Sequence, residues 1–348
     1  MRYQKACIES FGYVLPERIV TSEEIESRLA PLYDRLGLPY GRLELMTGIR
    51  ERRLWDAATK PSAVSTQAAE KALAASAIPR EAIGCLIHAS VCRDFLEPAT
   101  STVVHRNLGL APGAINYDVS NACLGVLNGI LDAANRVELG QIEAGLVVAG
   151  ENGGPLVENT IQRLLADPTV TRQSFKDSFA SLTIGSGAAA VIVANRERAP
   201  NGHRIVGGVA RADTSANDLC RGDTDMGMGA GSAPLMRTGS EELMKRGCAL
   251  AGETWREAQS ELGWSGADVD RFFCHQVGAA HSRLLFEMLG VDRAKDFTTY
   301  EFLGNMGTAS WPITMAIASE RGAVKKGDRV MLMGIGSGIN CVMAGVEW

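Results

Sequence analysis

The segment around Cys123 is the chain's best candidate for nucleophilic chemistry. Cys123 lies in DVSNACLGVLNGI, where a short apolar run gives way to helical spacing. A thiol at the start of a helix meets free N–H groups and the positive end of the helix dipole, which lower its pKa and favour the thiolate. The same N–H groups could hold an oxyanion. The alternative is a structural cysteine, because the chain has eight and most such residues are small buried apolar groups.

Two further candidates, His275 and Asn305, lie in the second half of the chain. His275 ends the apolar run RFFC, and side chains at the carboxyl end of a strand in an α/β sheet face the ligand crevice. Asn305 lies in LGNMG, ahead of a predicted helix. Each has a structural alternative: a hydrogen-bonded histidine that caps a strand, and a turn or N-capping asparagine. Together with Cys123 they suit thioester chemistry, with a thiolate nucleophile and two donors for an enolate or oxyanion.

Two other segments could complete such a site. The glycines of GIGSG, residues 334–338, are followed by no helix and no acidic residue about 20 positions on, so they do not indicate a dinucleotide loop. We expect them to let the backbone approach the site closely, with the N–H of Ser337 as a second oxyanion donor beside that of Cys123. Glu97 lies in RDFLEP, just before a predicted helix. By position alone it would be a solvated acid that the helix dipole favours.

Composition limits the functions that the chain can have. The 348 residues predict about two domains. A net charge of -5 and the absence of a basic run argue against nucleic acid as a partner. The cysteines form no CxxC pair and no zinc-ligand spacing, and the first residues contain no signal-like apolar run, so we expect a cytoplasmic protein. The uncharged stretch 330–346 is broken by Gly, Ser and Asn and predicts strand, turn and strand instead of an integral membrane segment.

Apolar periodicity predicts an α/β protein in which these residues lie at the ends of strands and helices. A capping-box pattern at 21–24 precedes a helix with apolar residues at 25, 29, 32 and 36. The other predicted helices are about 63–75, a segment between Pro98 and Gly109, a segment from Leu124 to Gly140, and 240–262. The other predicted strands are 85–90, 146–149, 182–194 and 271–274. Residues 213–237 lack periodicity and predict a long loop, either a functional lid or a surface insertion.

An internal repeat predicts how these elements are organised. IGCLIH at 83–88 resembles DRFFCH at 270–275, and a loop with a small-residue helix follows each about 30 residues later. Each helix then leads to an apolar strand with glycines, at 146–154 and 330–338. Two copies of one α/β unit predict a pseudo-twofold fold with halves 1–197 and 198–348, which would bring Cys123, His275 and Asn305 around one axis. A chance match between two α/β halves is the alternative.

At these residues the sequence resembles the thiolase superfamily, in its β-ketoacyl-ACP synthase III branch. The resemblance rests on TGIRERR at 47–53, the Asn-Ala-Cys turn, Cys-His-Gln at 274–276, the Gly-Asn-Met-Gly loop and the Gly-Ser-Gly ending. Within the branch the chain is most similar to the head-to-head acyl-CoA condensing enzymes of bacterial olefin synthesis, in PLYDRLG, RLWD, RDFLEP, LCRG and GIGSGINC. The resemblance implies a five-layer αβαβα fold built from two pseudo-twofold related halves.

The resemblance also implies a reaction, the non-decarboxylative Claisen condensation of two fatty acyl-CoA thioesters. A simple acyl-CoA has no carboxylate to lose, so a base must remove its α-proton. Glu97 would be that base and would reach across a homodimer interface into the partner's site. Cys123 would carry the first acyl chain, His275 and Asn305 would stabilise the enolate, and the N–H groups of Cys123 and Ser337 would hold the oxyanion. The product would be a 2-alkyl-3-ketoacyl thioester or its β-keto acid, made without a metal or redox cofactor and used by other olefin- or β-lactone-pathway enzymes.

Three alternatives stay open. The first is a decarboxylative synthase III that uses malonyl-ACP, with Glu97 as a bystander. The second is a catalytically silent subunit of a heterodimer, against which the intact Cys, His and Asn argue. The third is a dinucleotide-binding enzyme. The chain also departs from ordinary synthase III sequences, because Arg42 and Met46 replace the Trp and Arg that hold the CoA adenine, and Ser186 replaces an Asp.

Overall fold

The computed structural model describes residues 1–222 and 236–348. Its strands are β1 Ala6–Val14, β2 Ile19–Thr21, β3 Glu51–Arg53, β4 Ile83–His88, β5 Ile115–Asp118, β6 Ala144–Glu151, β7 Gly187–Asn195, β8 His203–Ala212, β9 Cys220–Gly222, β10 Met236–Thr238, β11 Arg271–Cys274, β12 Arg329–Gly336 and β13 Asn340–Glu347. Its helices are α1 Ser22–Arg28, α2 Ala30–Leu36, α3 Arg42–Thr47, α4 Pro61–Ala74, α5 Thr100–Leu108, α6 Gly125–Glu138, α7 Gly154–Ala166, α8 Arg172–Asp177, α9 Phe179–Leu182, α10 Ser240–Leu262, α11 Ala279–Leu289, α12 Tyr300–Leu303 and α13 Ser310–Glu320.

Nine strands form one mixed sheet whose order is nearly palindromic: β11-β12-β13-β8-β1-β7-β6-β4-β5. In the first half β4 pairs with β6 in parallel, and β6–β7 and β7–β1 are antiparallel. In the second half β11 pairs with β12 in parallel, and β12–β13 and β13–β8 are antiparallel. The two halves join where β1 pairs with β8. This matched pairing is what the internal repeat predicts.

The helices complete five layers. α4 covers one outer face of the first half, where it packs on a core of small apolar residues from β4, β6 and β7. α10 and α11 cover the outer face of the second half. α6 and α13 lie between the two halves and share one core with strands of both. The structure therefore has the predicted thiolase-like αβαβα fold. The predicted division at residues 197 and 198 falls between β7 and β8 and stays a prediction.

Local chemistry explains the start of the chain. Thr21 caps α1 and accepts a hydrogen bond from the N–H of Glu24 at 3.0 Å, as the capping pattern predicts. The single long helix that the apolar spacing predicts is wrong, because α1 ends before Leu29 and α2 begins anew with Pro31 in its first turn. A proline is tolerated at that position and not inside a helix. The two short helices still bury their apolar side chains in one small core.

The remaining predictions differ from the structure mainly at element ends. The predicted strand 182–194 is a short helix, α9, up to Leu182 and a strand, β7, only from Gly187. In the predicted loop 213–237, residues 223–235 lie outside the described residues, and the short strands β9 and β10 at its two ends pair with each other. Within residues 1–222 and 236–348, no helix is both long and apolar enough to cross a bilayer.

Candidate active site

Cys123 lies in a strained turn between β5 and α6. The turn is a 3-10 segment, Ala122–Leu124, and Ala122 has a φ of 45°, a left-handed conformation that is uncommon for a residue with a side chain. Gly125 starts α6 directly against β4, since a Cβ there would lie 2.7 Å from the carbonyl oxygen of Ala89. The turn thus presents Cys123, half-buried, at the start of the central helix.

The glycine-bearing end of β12 packs against this turn, as the sequence predicts. A Cβ on Gly334 would lie 2.3 Å from Cδ2 of Leu124, and a Cβ on Gly336 would lie 3.5 Å from the backbone nitrogen of Cys123. Just beyond, Asn340 donates from Nδ2 to the side-chain oxygen of Asn121, at 3.3 Å. Ser337 therefore follows a strand that runs along the turn that contains Cys123. The close approach depends on the absence of a side chain at Gly334.

His275 is placed by the same strand. Cys274 pairs with Met333, and the N–H of His275 continues this parallel pairing with a 3.0 Å hydrogen bond to the carbonyl oxygen of Met333. His275 therefore follows β11 at the level of Gly334, the residue that contacts Leu124. Burial lowers the pKa of His275 to about 3, with a smaller contribution from His281. The imidazole is therefore neutral at physiological pH.

Asn305 lies in a loop that is fastened to the start of β7. Its N–H donates to the carbonyl oxygen of Thr183 at 3.0 Å, and its own carbonyl accepts from Gly185 at 2.9 Å. The side-chain Oδ1 accepts from the N–H of Gly307, which leaves the amide Nδ2 to donate to a ligand. Thr308 in the same loop accepts from the N–H of Val126 in α6, at 2.7 Å. The Asn305 loop is thus tied to the helix that Cys123 precedes.

A glutamine joins the His275 and Asn305 segments. Gln276 donates from Nε2 to the carbonyl oxygen of Cys274 and accepts at Oε1 from the N–H groups of Thr299 and Tyr300, the residues where α12 begins. α12 leads directly to the Asn305 loop. The structure therefore brings Cys123, His275, Asn305 and the Ser337 segment to one end of the central layer.

The pKa of Cys123 contradicts the expectation from the helix start. The pKa is raised to about 12, chiefly because burial disfavours the thiolate, and then because the Glu151 carboxylate lies near the sulfur. α6 begins only at Gly125, so the favourable helix end does not outweigh these two effects. Glu151 itself was not among the predicted site residues. The available signal was an acid at the end of the buried apolar strand GLVVAGE, where side chains face a crevice.

Glu97 forms no hydrogen bond with this cluster within the described part of the chain. It is exposed, in the loop between β4 and α5, and no other described residue forms a hydrogen bond or ion pair with it. The loop around it is well fixed. Asp94 accepts from the N–H and the hydroxyl of Ser62, at 2.9 and 2.6 Å. Asp118 accepts from the N–H groups of Thr100 and Ser101, both at 2.8 Å, where α5 begins.

The two departures from ordinary synthase III sequences have clear positions. Arg42 and Met46 lie on α3, whose end packs on the segment after His275, since a Cβ on Gly48 would lie 2.7 Å from Cβ of Ala279. Ser186 is fully buried and accepts from the N–H of Gly153 at 3.0 Å, which satisfies a donor at the start of α7. In residues 1–222 and 236–348, no three His, Cys, Asp or Glu side chains are arranged to hold a metal.

Comparisons with known proteins identify the relatives of this chain. Residues 260–348 match the family model of the 3-oxoacyl-[acyl-carrier-protein] synthase III C terminal. The chain is 42% identical, over the full length of both, to the acyl-CoA:acyl-CoA alkyltransferase of Shewanella oneidensis. It is also 42% identical to a solved 3-oxoacyl-(acyl carrier protein) synthase III of Xanthomonas oryzae, with a TM-score of 0.93 and full coverage of both chains.

The solved OleA of Xanthomonas campestris with bound cerulenin gives a TM-score of 0.94 at 41% identity, over 100% of this chain and 98% of that one. Other solved forms of that protein replace one cysteine, one histidine or one glutamate. The replaced glutamate and cysteine are 26 positions apart in its chain, as Glu97 and Cys123 are here.

Proposed function

Because this chain belongs to the OleA family of acyl-CoA:acyl-CoA alkyltransferases in the thiolase superfamily, we propose that it joins two fatty acyl-CoA molecules head to head. The proposal is supported by the full-length identity of 42% to such an enzyme, together with the packing of the Cys123 turn beside β12, which pairs with the His275 strand, and beside the Asn305 loop. No cofactor takes part in the proposed reaction, because both carbon atoms that join are activated by thioesters and by protein side chains.

In the first half-reaction Cys123 attacks the carbonyl carbon of one acyl-CoA. The N–H groups of Cys123 and Ser337 hold the oxyanion while the C–S bond to CoA breaks, and the thiol proton leaves with the CoA sulfur. The attacking form is the thiolate, so the Cys123 proton is lost before the attack, and the departing CoA sulfur takes up a proton in exchange. The acyl chain is then held as a thioester on Cys123.

In the second half-reaction Glu97 removes the α-proton of a second acyl-CoA. The neutral imidazole of His275 and the amide of Asn305 donate to the resulting enolate oxygen. The enolate carbon attacks the acyl-Cys123 carbonyl, the C–S bond to Cys123 breaks, and the thiolate recovers the proton that Glu97 took. The product is a 2-alkyl-3-ketoacyl-CoA, and hydrolysis of its thioester gives the β-keto acid.

We propose that Glu97 acts in the site of a second copy of the chain. β5 is the last strand at one end of the sheet, and Ile115 in it is exposed. The neighbouring Glu97 loop exposes Val91, Phe95 and Leu96. Apolar side chains beside an open strand edge favour an interface. A homodimer through this edge would cover them and would carry Glu97 towards the partner.

Product analysis with myristoyl-CoA as the only substrate tests the reaction. We expect a condensed 3-keto product from the wild-type protein and none from Cys123→Ser. Glu97→Gln should still form the acyl-Cys123 adduct, which mass spectrometry detects, but should not condense it. Product that appears only when malonyl-ACP is added would favour the decarboxylative reaction that the Xanthomonas oryzae relative's name denotes.

Subunit complementation tests the position of Glu97. Cys123→Ala and Glu97→Gln proteins, each inactive alone, are mixed and allowed to exchange subunits. If Glu97 acts across the interface, random exchange restores about a quarter of wild-type activity, because half of the dimers are mixed and each has one complete site. If Glu97 acts within its own chain, no mixed dimer has a complete site and activity stays absent.

A further inference from the structure

Glu151 is a buried carboxylate that the proposed reaction does not use. It is the last residue of β6, and its side chain is almost fully buried. No lysine, arginine or histidine forms an ion pair with it among residues 1–222 and 236–348. A carboxylate without a cationic partner is costly to bury unless hydrogen bonds satisfy it. The hydrogen bonds of Glu151 should therefore indicate its function.

On one side Glu151 holds the beginning of the Glu97 loop. Oε1 accepts from the N–H of Val91 at 3.0 Å, and Oε2 accepts from the N–H of Cys92 at 3.2 Å. These residues follow β4 and precede Glu97 by only a few positions. Both oxygens of the carboxylate are thus used to fix where this loop leaves the sheet.

On the other side Glu151 holds the Asn305 loop. A Cβ on Gly307 would lie 3.1 Å from Oε1, so the backbone of that loop lies against the carboxylate. The hydroxyl of the next residue, Thr308, accepts from Val126 near the start of α6. One carboxylate therefore contacts the loop that presents Glu97 and the loop that presents Asn305.

We propose that Glu151 is a positioning residue for the condensation step, because its carboxylate fixes the Glu97 loop relative to the Asn305 loop. The proposal rests on the proposed function. In the dimer Asn305 serves its own site, whereas Glu97 serves the partner's site. Glu151 would then fix the position of Asn305 in its own site relative to Glu97, which the same chain contributes to the partner's site. Acylation of Cys123 does not need Glu97 and should depend on Glu151 much less.

The experiment measures the two half-reactions separately in Glu151→Gln. The amide keeps the size of the side chain but places an NH2 group where a backbone N–H now donates. Acylation is followed by the CoA released in the first turnover and by the mass of the Cys123 peptide. Condensation is followed by the 3-keto product. We expect condensation to fall about 10- to 100-fold, whereas acylation should not fall by more than about threefold, because loss of the negative charge near Cys123 favours its thiolate.

Glu138→Gln is the matched control. Glu138 also accepts from two successive backbone N–H groups, those of Gln4 and Lys5, at 3.0 and 2.8 Å. It lies at the far end of α6, about 20 Å from Cys123. Loss of these hydrogen bonds should leave the ratio of the acylation rate to the condensation rate unchanged.

Hydrogen exchange gives a second measurement, which is independent of enzyme activity. In Glu151→Gln we expect faster exchange in both segments 91–98 and 304–308, with the remaining peptides as in wild type. If condensation stays within threefold of wild type, if both half-reactions fall equally, or if only one segment changes, the proposal is wrong.

Glu151→Asp, which keeps the negative charge, is the second variant in case Glu151→Gln does not fold. If Glu151→Gln does not accumulate as folded protein, the same assays are made on Glu151→Asp, with the same selective loss expected. If neither variant folds, the carboxylate serves folding and the proposal is wrong. Failure of the proposed function would look different, because the wild-type protein itself would then form no product from acyl-CoA alone.

Discussion

Alkylation of Cys123 as a function of pH tests the electrostatics of the site most directly. Only the thiolate reacts with iodoacetamide. Burial and the nearby Glu151 carboxylate raise the pKa of Cys123 to about 12. At pH 8 an ordinary cysteine with a pKa near 8.5 is about one quarter thiolate, whereas a pKa of about 12 leaves about one thiolate in 10,000. The difference corresponds to about 5 kcal/mol.

Free Cys123 should therefore react about two thousandfold more slowly than an ordinary thiol such as glutathione at pH 8. Its rate should rise about tenfold for each pH unit up to pH 10 without a plateau, because the thiolate remains a small fraction throughout. Removing a negative charge lowers the pKa of a thiol, so Glu151→Gln should shift the profile towards lower pH. Glu138→Gln, which removes a charge far from the sulfur, should leave the profile where it is.

The assay is mass spectrometry of the Cys123 peptide after timed alkylation, with glutathione in the same tube as the reference thiol. The titration midpoint decides the matter, since restricted access lowers the rate equally at every pH. A plateau below pH 9 in the wild-type protein would refute the reasoning. It would show that the helix start and the N–H groups of the turn outweigh burial and the carboxylate, as the sequence alone suggests.

Three further predictions concern stability. Acidification from pH 7 to 5 should lower the free energy of unfolding, because unfolded imidazoles take up protons that the buried folded ones do not, each contributing about 2 kcal/mol. The imidazoles with lowered pKa are His88, His203 and His281, each at about 4, and His275 at about 3. The pKa of Asp296, raised to about 7 by burial, offsets part of this loss, since the folded carboxyl gains its proton first. Thr308→Val should cost about 1–3 kcal/mol in urea denaturation, because it leaves the buried N–H of Val126 without its acceptor. Gly334→Ala should cost about 1–3 kcal/mol and slow acylation, because its Cβ would collide with buried Leu124.

Controls for these variants come from the same chain. A Cβ at Gly113 meets nothing within 4 Å, so Gly113→Ala should leave the unfolding midpoint nearly unchanged. Thr102 bonds only to a carbonyl in an exposed turn, and Thr102→Val should cost much less than Thr308→Val. Equal stability at pH 7 and 5, or equal effects of a variant and its control, would contradict the corresponding prediction.

The sequence predicted elements best where the pattern was local. The strand at 271–274 and the helix at 240–262 have the predicted limits. The glycines at 334 and 336 were expected to allow a close approach, and they lie against the Cys123 turn. In each case the residue types themselves determine the outcome: β-favouring residues, helical apolar spacing, or the lack of a side chain.

Effects that depend on tertiary neighbours were not predictable in the same way. The helix start next to Cys123 is local, but Glu151 reaches the sulfur only because β6 lies beside β4 in the sheet. The break between α1 and α2 has a local cause in Pro31, which the continuous apolar spacing obscured. For Glu97, the loop and its anchors follow from the fold, whereas the proposed role would depend on a second chain.

The two histidines of the internal repeat, His88 and His275, do not occupy equivalent positions in the structure. The repeat places His88 and His275 at the ends of corresponding apolar strands. Their positions in the pairing with the neighbouring strand nevertheless differ by one residue. His88 is itself paired with Val148, whereas His275 follows the last pair, Cys274 with Met333.

Successive residues of a strand point to opposite faces, so this offset separates the two histidines. His88 is fully buried near Asp118, the residue that caps α5 after Glu97, with 3.9 Å between Nδ1 and Oδ1. His88 Nε2 also lies 3.3 Å from Oγ of Ser90, which directly precedes the Glu97 loop. His275 instead follows β11 next to the Cys123 turn. One copy of the unit therefore buries its histidine beneath the start of the Glu97 loop, and the other places its histidine beside the Cys123 turn. Replacing His88 by Asn should accordingly reduce condensation through the loop and leave the acylation of Cys123 near its wild-type rate, which the two half-reaction assays can measure.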